Sequence, residues 1–315
     1  MYHAHFHLRE EPFGVTPDPR FFQRTPQHDE ALATLFCAIE QRRGFALLVG
    51  PPGLGKSSVL FALVQMLQGK ARVAYLANPC YDAATIMESI FLRFGLQPAE
   101  STAASHRLFY QFLLKIHQAG ETCVVILDEA QDLDRDTLEA IRMLSNFETP
   151  GAKLLQIVLA GQPALQETLQ RPDCEQIRQR LNTVTRMHPL TREGVRSYMA
   201  HRLEASGGSL SIFTPAAVDA IAAVSAGVPR NVNTLSYNAL AIAFALNRPQ
   251  VTGAHVAEAA RDLGLTTQRV PAAESFGEPN LLLAQVPPTS RAAWIAAGVG
   301  LILVVSAIMQ FHPWH

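Results

Sequence analysis

Apolar positions along the chain follow two different periods, and the changes from one to the other mark out its elements. F-A-L-L-V at 45–49, R-V-A-Y-L-A at 72–77, C-V-V-I-L at 123–127 and L-L-Q-I-V-L-A at 154–160 are short apolar runs. Runs of that length bounded by glycine, proline or acids read as strands buried on both faces. A fifth strand is expected at 184–187. Between the runs the apolar residues recur at helical spacing. Ala31, Leu32, Leu35, Phe36 and Ile39 share one face of an expected helix at 27–43, and Val59, Leu60, Leu63, Val64 and Leu67 share one after the first strand. Helices are also expected at 82–94 and 105–118, and one ends near Arg178 and Arg180.

Beyond Thr191 only the helical period remains. Thr191 caps a helix to about 205, and Thr214-Pro215 is an N-cap and first-turn proline pair for one that Gly227 closes. G-V-P-R-N-V-N at 227–233 opens the next, and Thr252 caps a last one to about 263. The chain therefore divides into an α/β core with an N-terminal arm at 1–190, a helical lid at 191–264, a proline-containing linker at 265–291 and an uncharged apolar stretch at 292–311. A helix over that stretch rises about 30 Å, the thickness of a bilayer's hydrocarbon core. With Arg291 before it and Trp294 near its start, it is expected to be a membrane anchor.

Where the first strand meets its helix, the chain reads G-P-P-G-L-G-K-S, the full G-x-x-x-x-G-K-[ST] pattern in strand–loop–helix context. Gly50, Pro51, Pro52, Gly53, Leu54, Gly55, Lys56, Ser57 and Ser58 are the expected phosphate-binding residues. Glycines let main-chain N–H groups converge on phosphate oxygens, the helix N-terminus adds positive potential, Lys56 reaches the outer phosphates and Ser57 is placed to ligate Mg²⁺. A nucleoside triphosphate, ATP with Mg²⁺, is the expected ligand. C-V-V-I-L-D-E supplies the complement: Asp128 for the metal and Glu129 to polarise the attacking water, both at a strand's C-terminal end. Gln162, after the 154–160 strand, is either a γ-phosphate sensor or a plain turn residue. Arg178 and Arg180 are candidates for an arginine finger reaching a neighbour's site, against a solvated basic face. Arg230, at a lid-helix start, is a second sensor candidate.

Pro12, Pro17 and Pro19 forbid a helix in the arm, and Phe6, Phe13, Phe21 and Phe22 need a surface, for which the purine side of the nucleotide site is one candidate. His3, His5 and His7 alternate without a partner at ligand spacing and read as part of that arm. A net charge of −1 over 315 residues gives no polyanion-binding signal, which with the apolar C-terminal stretch argues against a nucleic-acid partner. Four scattered cysteines fit a reducing compartment, and Cys123 reads as core packing.

The arm H-F-H-L-R-E-E-P-F-G-V-T-P-D-P-R-F-F, then Q-H-D-E-A-L, I-E-Q-R-R-G-F, D-E-A-Q, L-A-G-Q-P-A-L, I-R-Q-R-L and G-V-P-R-N-V-N, together resemble AAA+ ATPases of the general secretion pathway protein A (ExeA) type and the related MSHA pilus biogenesis ATPases. The resemblance covers about residues 1–264. It implies sheet order 5-1-4-3-2 and a homo-oligomer with nucleotide between subunits. Lys56 and Ser57 would lie at phosphates and Mg²⁺, with Asp128 and Glu129 as Walker B and Arg230 as sensor 2. It further implies ATP hydrolysis that drives or times assembly of an envelope secretion, pilus or exopolysaccharide system. The ATPase domain would be cytoplasmic, held at the bacterial inner membrane by a single C-terminal span. Secretion relatives continue into a periplasmic peptidoglycan-binding domain, whereas here 312–315 follow the span, so partners are expected at the ATPase domain, linker or membrane helix. Two other readings compete: a nucleotide-dependent DNA-binding regulator of the transposition-ATPase type, and a non-hydrolysing nucleotide switch.

Overall fold

A computed structural model describes residues 2–14, 19–21, 23–77 and 82–265. Five parallel strands form one sheet: β1 (Phe45–Val49), β2 (Ala71–Leu76), β3 (Thr122–Leu127), β4 (Leu155–Gly161) and β5 (Leu181–Arg186). Their spatial order is β2-β3-β4-β1-β5, the 5-1-4-3-2 order that the family resemblance implies. The three central strands β1, β3 and β4 read as nearly unbroken apolar runs because both sheet faces are covered there. Phe45, Leu47, Val49, Val125, Leu127 and Ile157 enter one core. Their alternates Ala46, Leu48, Val124, Ile126, Val158 and Ala160 enter the other, as the two-residue strand period requires.

Helices α1 (Pro26–Glu40) and α2 (Lys56–Met66) cover the second face. The first is covered by α3 (Ala83–Arg93), α4 (Thr102–Gln118), α5 (Arg135–Leu144), α6 (Pro163–Gln170) and the single turn α7 (Glu175–Arg178). Some elements differ from the expected ones. α4 starts earlier because Ser101 caps it through Ala104 N–H. The fifth strand starts at Leu181 rather than 184, since an edge strand tolerates the polar Asn182 and Thr183. α5 and α6 add two helices that hydrophobic spacing alone had not delimited.

The lid contains α8 (Arg192–Ala205), α9 (Pro215–Val224), α10 (Pro229–Ala245) and α11 (Gly253–Asp262). It is tied to the core where Leu190 N–H donates to Gly227 O (2.8 Å). Gly227 has φ +72°, and a side chain there would run into the Leu190 main chain, so only glycine fits.

The arm corrects one expectation. Phe6 and Phe13, with Tyr2 and Leu8, are buried in the lid's apolar cluster rather than offered to a nucleotide base. Arg202 of α8 fastens the arm by donating to Pro12 O and Gly14 O, and its guanidinium lies 5.1 Å from the Phe21 ring centroid. The physical reason is that the lid helices alone leave apolar surface uncovered, and the nearest aromatic chain fills it. Among the described residues no helix is long and apolar enough to cross a membrane, and no histidine, cysteine or acid cluster suits a metal. The stretch 292–311, most of the linker and Phe22 lie outside the described residues.

Candidate active site

Parallel pairing gathers the candidate residues at one edge of the sheet. Val49 is in register with Gly161, and Leu127 with Leu159, so the chain leaves β1, β3 and β4 side by side. The phosphate loop begins as Gly50 N–H donates to Gly161 O (3.2 Å). Gly53 and Gly55 take φ +81° and +90°, a region closed to most side chains. At Gly53 a Cβ would also lie 2.7 Å from Arg230 Cβ. Leu54 is buried in the core and anchors the loop, contributing only its main chain to any ligand. Pro51 and Pro52 have no N–H to offer, so their part is to preset the loop's curvature.

Lys56, at the first turn of α2, is 5% exposed. Its ammonium donates to Gly50 O (2.9 Å) and Pro51 O (3.2 Å). Burial pulls its pKa down, partly countered by the charges of Glu129 and Asp128, while Arg230 adds to the depression. A buried ammonium held by two carbonyls and facing carboxylates is poised to accept an anion.

Asp128 is also buried, and it accepts hydrogen bonds from the Ser57 hydroxyl (2.6 Å) and the Tyr75 hydroxyl (3.1 Å) on one oxygen. Its other oxygen accepts from Glu129 N–H (2.9 Å). Burial and the neighbouring Asp128 push the Tyr75 phenol up, keeping it a neutral donor. Glu129 adopts φ +52°, uncommon for a residue with a side chain. Its carboxylate accepts from Gln131 Nε2 (2.9 Å) and, at 3.5 Å, from Gln162 Nε2. Gln162 thus stands beside the acid pair, at the N-cap of α6.

The lid closes one side. Arg230 N–H lies 3.4 Å from Gly53 O, placing the start of α10 against the phosphate loop. On the other side, the His28 Nε2 is 3.2 Å from Leu54 O, and its ring packs where a Cβ on Gly55 would sit. Spacing patterns did not single out His28, Tyr75 or Gln131. Gln131 and His28 carried a signal only as letters of D-E-A-Q and Q-H-D-E-A-L, and Tyr75 carried none.

Arg178 and Arg180 are elsewhere. Leu181 pairs with Phe45 at the beginning of β1, so Arg180 lies at the opposite sheet edge, about 16 Å along the strands from the loop at roughly 3.3 Å per residue. Arg180 donates to the Ser145 hydroxyl, and Arg178 is half-exposed with Glu175 at 3.7 Å. The structure does not bring either to this chain's own loop.

The donors suit a nucleotide and a hard cation. The loop has main-chain N–H groups and a buried ammonium for phosphate, and the adjoining Ser57 and Asp128 oxygens are the ligand type Mg²⁺ prefers.

Residues 39–169 match the AAA domain family. The chain is 36% identical over 266 residues to general secretion pathway protein A of Aeromonas hydrophila, a match covering 84% of this chain and 48% of that protein, so the chain spans about half the length of this curated relative. Solved structures share the fold. Cdc6p from Pyrobaculum aerophilum matches with TM-score 0.61 at 18% identity, covering 80% of this chain and 70% of that one. The origin recognition complex structure from Drosophila gives 0.62 at 20% identity over 80% of this chain and 64% of that one. RuvB of Thermotoga maritima gives 0.51 at 17% identity over 76% and 70%.

Proposed function

For this AAA+ P-loop protein, related over most of its described length to general secretion pathway protein A, we propose Mg²⁺-dependent ATP hydrolysis that drives or times assembly of a cell-envelope system. The observation that carries the reading is the Ser57–Asp128 pair, 2.6 Å apart beside a complete phosphate loop and followed directly by Glu129. In this reading the main-chain N–H groups of the loop and Lys56 hold the phosphates. Ser57 and Asp128 hold Mg²⁺, which when bound supplies charge neutralisation at the phosphate oxygens. Glu129 orients and deprotonates the attacking water, and Gln162 lies beside that reaction at the end of β4. Arg230 extends the site from the lid, so that lid position and nucleotide state are coupled. Arg178 or Arg180 completes the site of a neighbouring copy, which makes a homo-oligomer the active form.

The envelope role and the inner-membrane location rest on the similarity to the secretion protein and on the apolar stretch 292–311. Removing 292–311 should release the chain from membrane vesicles; undiminished sedimentation with them would remove the anchor from the reading. The experiment that tests the chemistry is ATP turnover by the full chain with and without Mg²⁺, across protein concentration, beside Glu129→Gln. Turnover per subunit should rise with concentration and vanish in Glu129→Gln while ATP still binds. Tight ATP binding with negligible turnover at every concentration would replace hydrolysis with a nucleotide switch.

A further inference from the structure

Gln131 follows the acid pair by two residues and joins it to the next strand. Its Oε1 accepts Gln162 N–H at 3.0 Å, and a main-chain N–H can only donate, so the orientation of the amide is settled. Its Nε2 therefore faces two carboxylates, Glu129 Oε2 at 2.9 Å and Asp132 Oδ2 at 3.2 Å. Space for this amide exists because residue 161 is glycine: a Cβ there would be 2.9 Å from Gln131 Oε1 and 3.3 Å from the Gln131 main-chain nitrogen. Glu129 sits in the left-handed region, which disfavours residues with a side chain, and its carboxylate is held by groups of other residues. The Asp128 Oδ1 contact to Glu129 N–H holds the main chain, and Gln131 holds the side chain.

We propose that Gln131 is a positioning residue that fixes the Glu129 carboxylate and registers it to the end of β4. This rests on the hydrolytic reading of the site. Its consequence is that Gln162 has two links to Glu129, one through its side-chain amide and one through its main chain by way of Gln131. A displacement of the β4 end, where Gln162 stands beside the reacting groups, is transmitted to the carboxylate that orients water.

The test compares the full chain with Gln131→Ala, Gln131→Glu and Glu129→Gln, measuring kcat, KM for ATP and ATP affinity. A hydrogen bond to a charged group is lost in Gln131→Ala, so kcat should fall roughly tenfold to a hundredfold with KM within about twofold of the unmodified chain. ATP affinity should be kept in Gln131→Ala as it is in Glu129→Gln, since Gln131 acts through Glu129 and not on the phosphates. Gln131→Glu keeps an acceptor for Gln162 N–H but loses the donor to Glu129 and sets a second carboxylate against it, so kcat should fall at least as far as in Gln131→Ala. Unmodified kcat in Gln131→Ala or in Gln131→Glu overturns the proposal while hydrolysis stands. No Mg²⁺-dependent turnover in the unmodified chain defeats the hydrolytic reading itself and this proposal with it.

Discussion

The two edges of the sheet hold their charges in opposite ways. At the C-terminal edge Lys56 and Asp128 are buried, each hydrogen-bonded by groups on other elements, and the acid pair is tied through Gln131 to β4. Such groups have lost their water and their freedom before any ligand arrives, which is what preorganisation means energetically. At the N-terminal edge Arg178 is half-exposed, and its carboxylate partner is on the same helical turn. Surface pairs of that kind contribute about 0–1 kcal/mol and cost little to break. One edge is held by buried contacts between elements, whereas at the other the Arg178 side chain is displaced at little cost.

The largest expected effect separates these two states. If an arginine of the N-terminal edge acts across a subunit boundary, replacing it should lower turnover by roughly 10³- to 10⁵-fold. Thermal stability should hardly change for Arg178→Ala, since surface substitutions cost about 0.5 kcal/mol or less. Mixing Glu129→Gln subunits with arginine-variant subunits sharpens the comparison. Sites that combine Glu129 from one with the arginine of the other are complete, so the mixture should recover turnover that neither variant has. A mixture as inactive as its components would place both groups in one chain's site, or leave the arginines structural.

Legibility in the sequence divides along the same line. The phosphate loop was readable because backbone constraints there demand particular residues, as at Gly53 with its positive φ and the nearby Arg230, and the acid pair because it ends an apolar strand, whereas the sheet order came only from the family resemblance. The hold on Glu129 was not, because a glutamine two residues past an acid has no distinctive spacing and acquires meaning only when β4 lies alongside. The arm was half readable: its aromatics plainly needed a surface, but which surface depends on the lid's tertiary packing. α5 could have been read from Asp134, which caps it through Thr137 N–H, and from Leu138, Ile141 and Leu144 at helical spacing. That helix lies between two more conspicuous strands.

The arm and lid give the next effect in size. Phe13 is 1% exposed, its ring 6.0 Å from Phe213 at a nearly perpendicular angle. Phe13→Ala should destabilise the protein by about 3–5 kcal/mol, the range for truncating a buried aromatic, measured by denaturant unfolding. ATP affinity at the preassembled edge should change much less. A parallel loss of ATP affinity without unfolding would break the comparison, because it would make the arm part of the nucleotide site after all.

The smallest effect concerns His28, the link between α1 and the loop. Burial lowers its pKa, with the charge of Arg24 acting in the same direction, while the Leu54 carbonyl and Asp29 act against it. In the unfolded chain the group titrates near about 6.5. Below that pH the unfolded chain binds the proton more readily than the folded one, so stability rises with pH through this window. His28 therefore adds no penalty above the unfolded pKa, and stability falls as pH drops from there toward the lower folded value. Thr25 and His28 form a capping box at the start of α1, and glutamine at the same position serves that box without titrating. His28→Gln should keep α1 intact while flattening the dependence of Tm on pH below about 6.5. An unchanged slope would mean that the ring is accessible to protons as it stands, and that α1 does not hold the loop through a buried neutral imidazole.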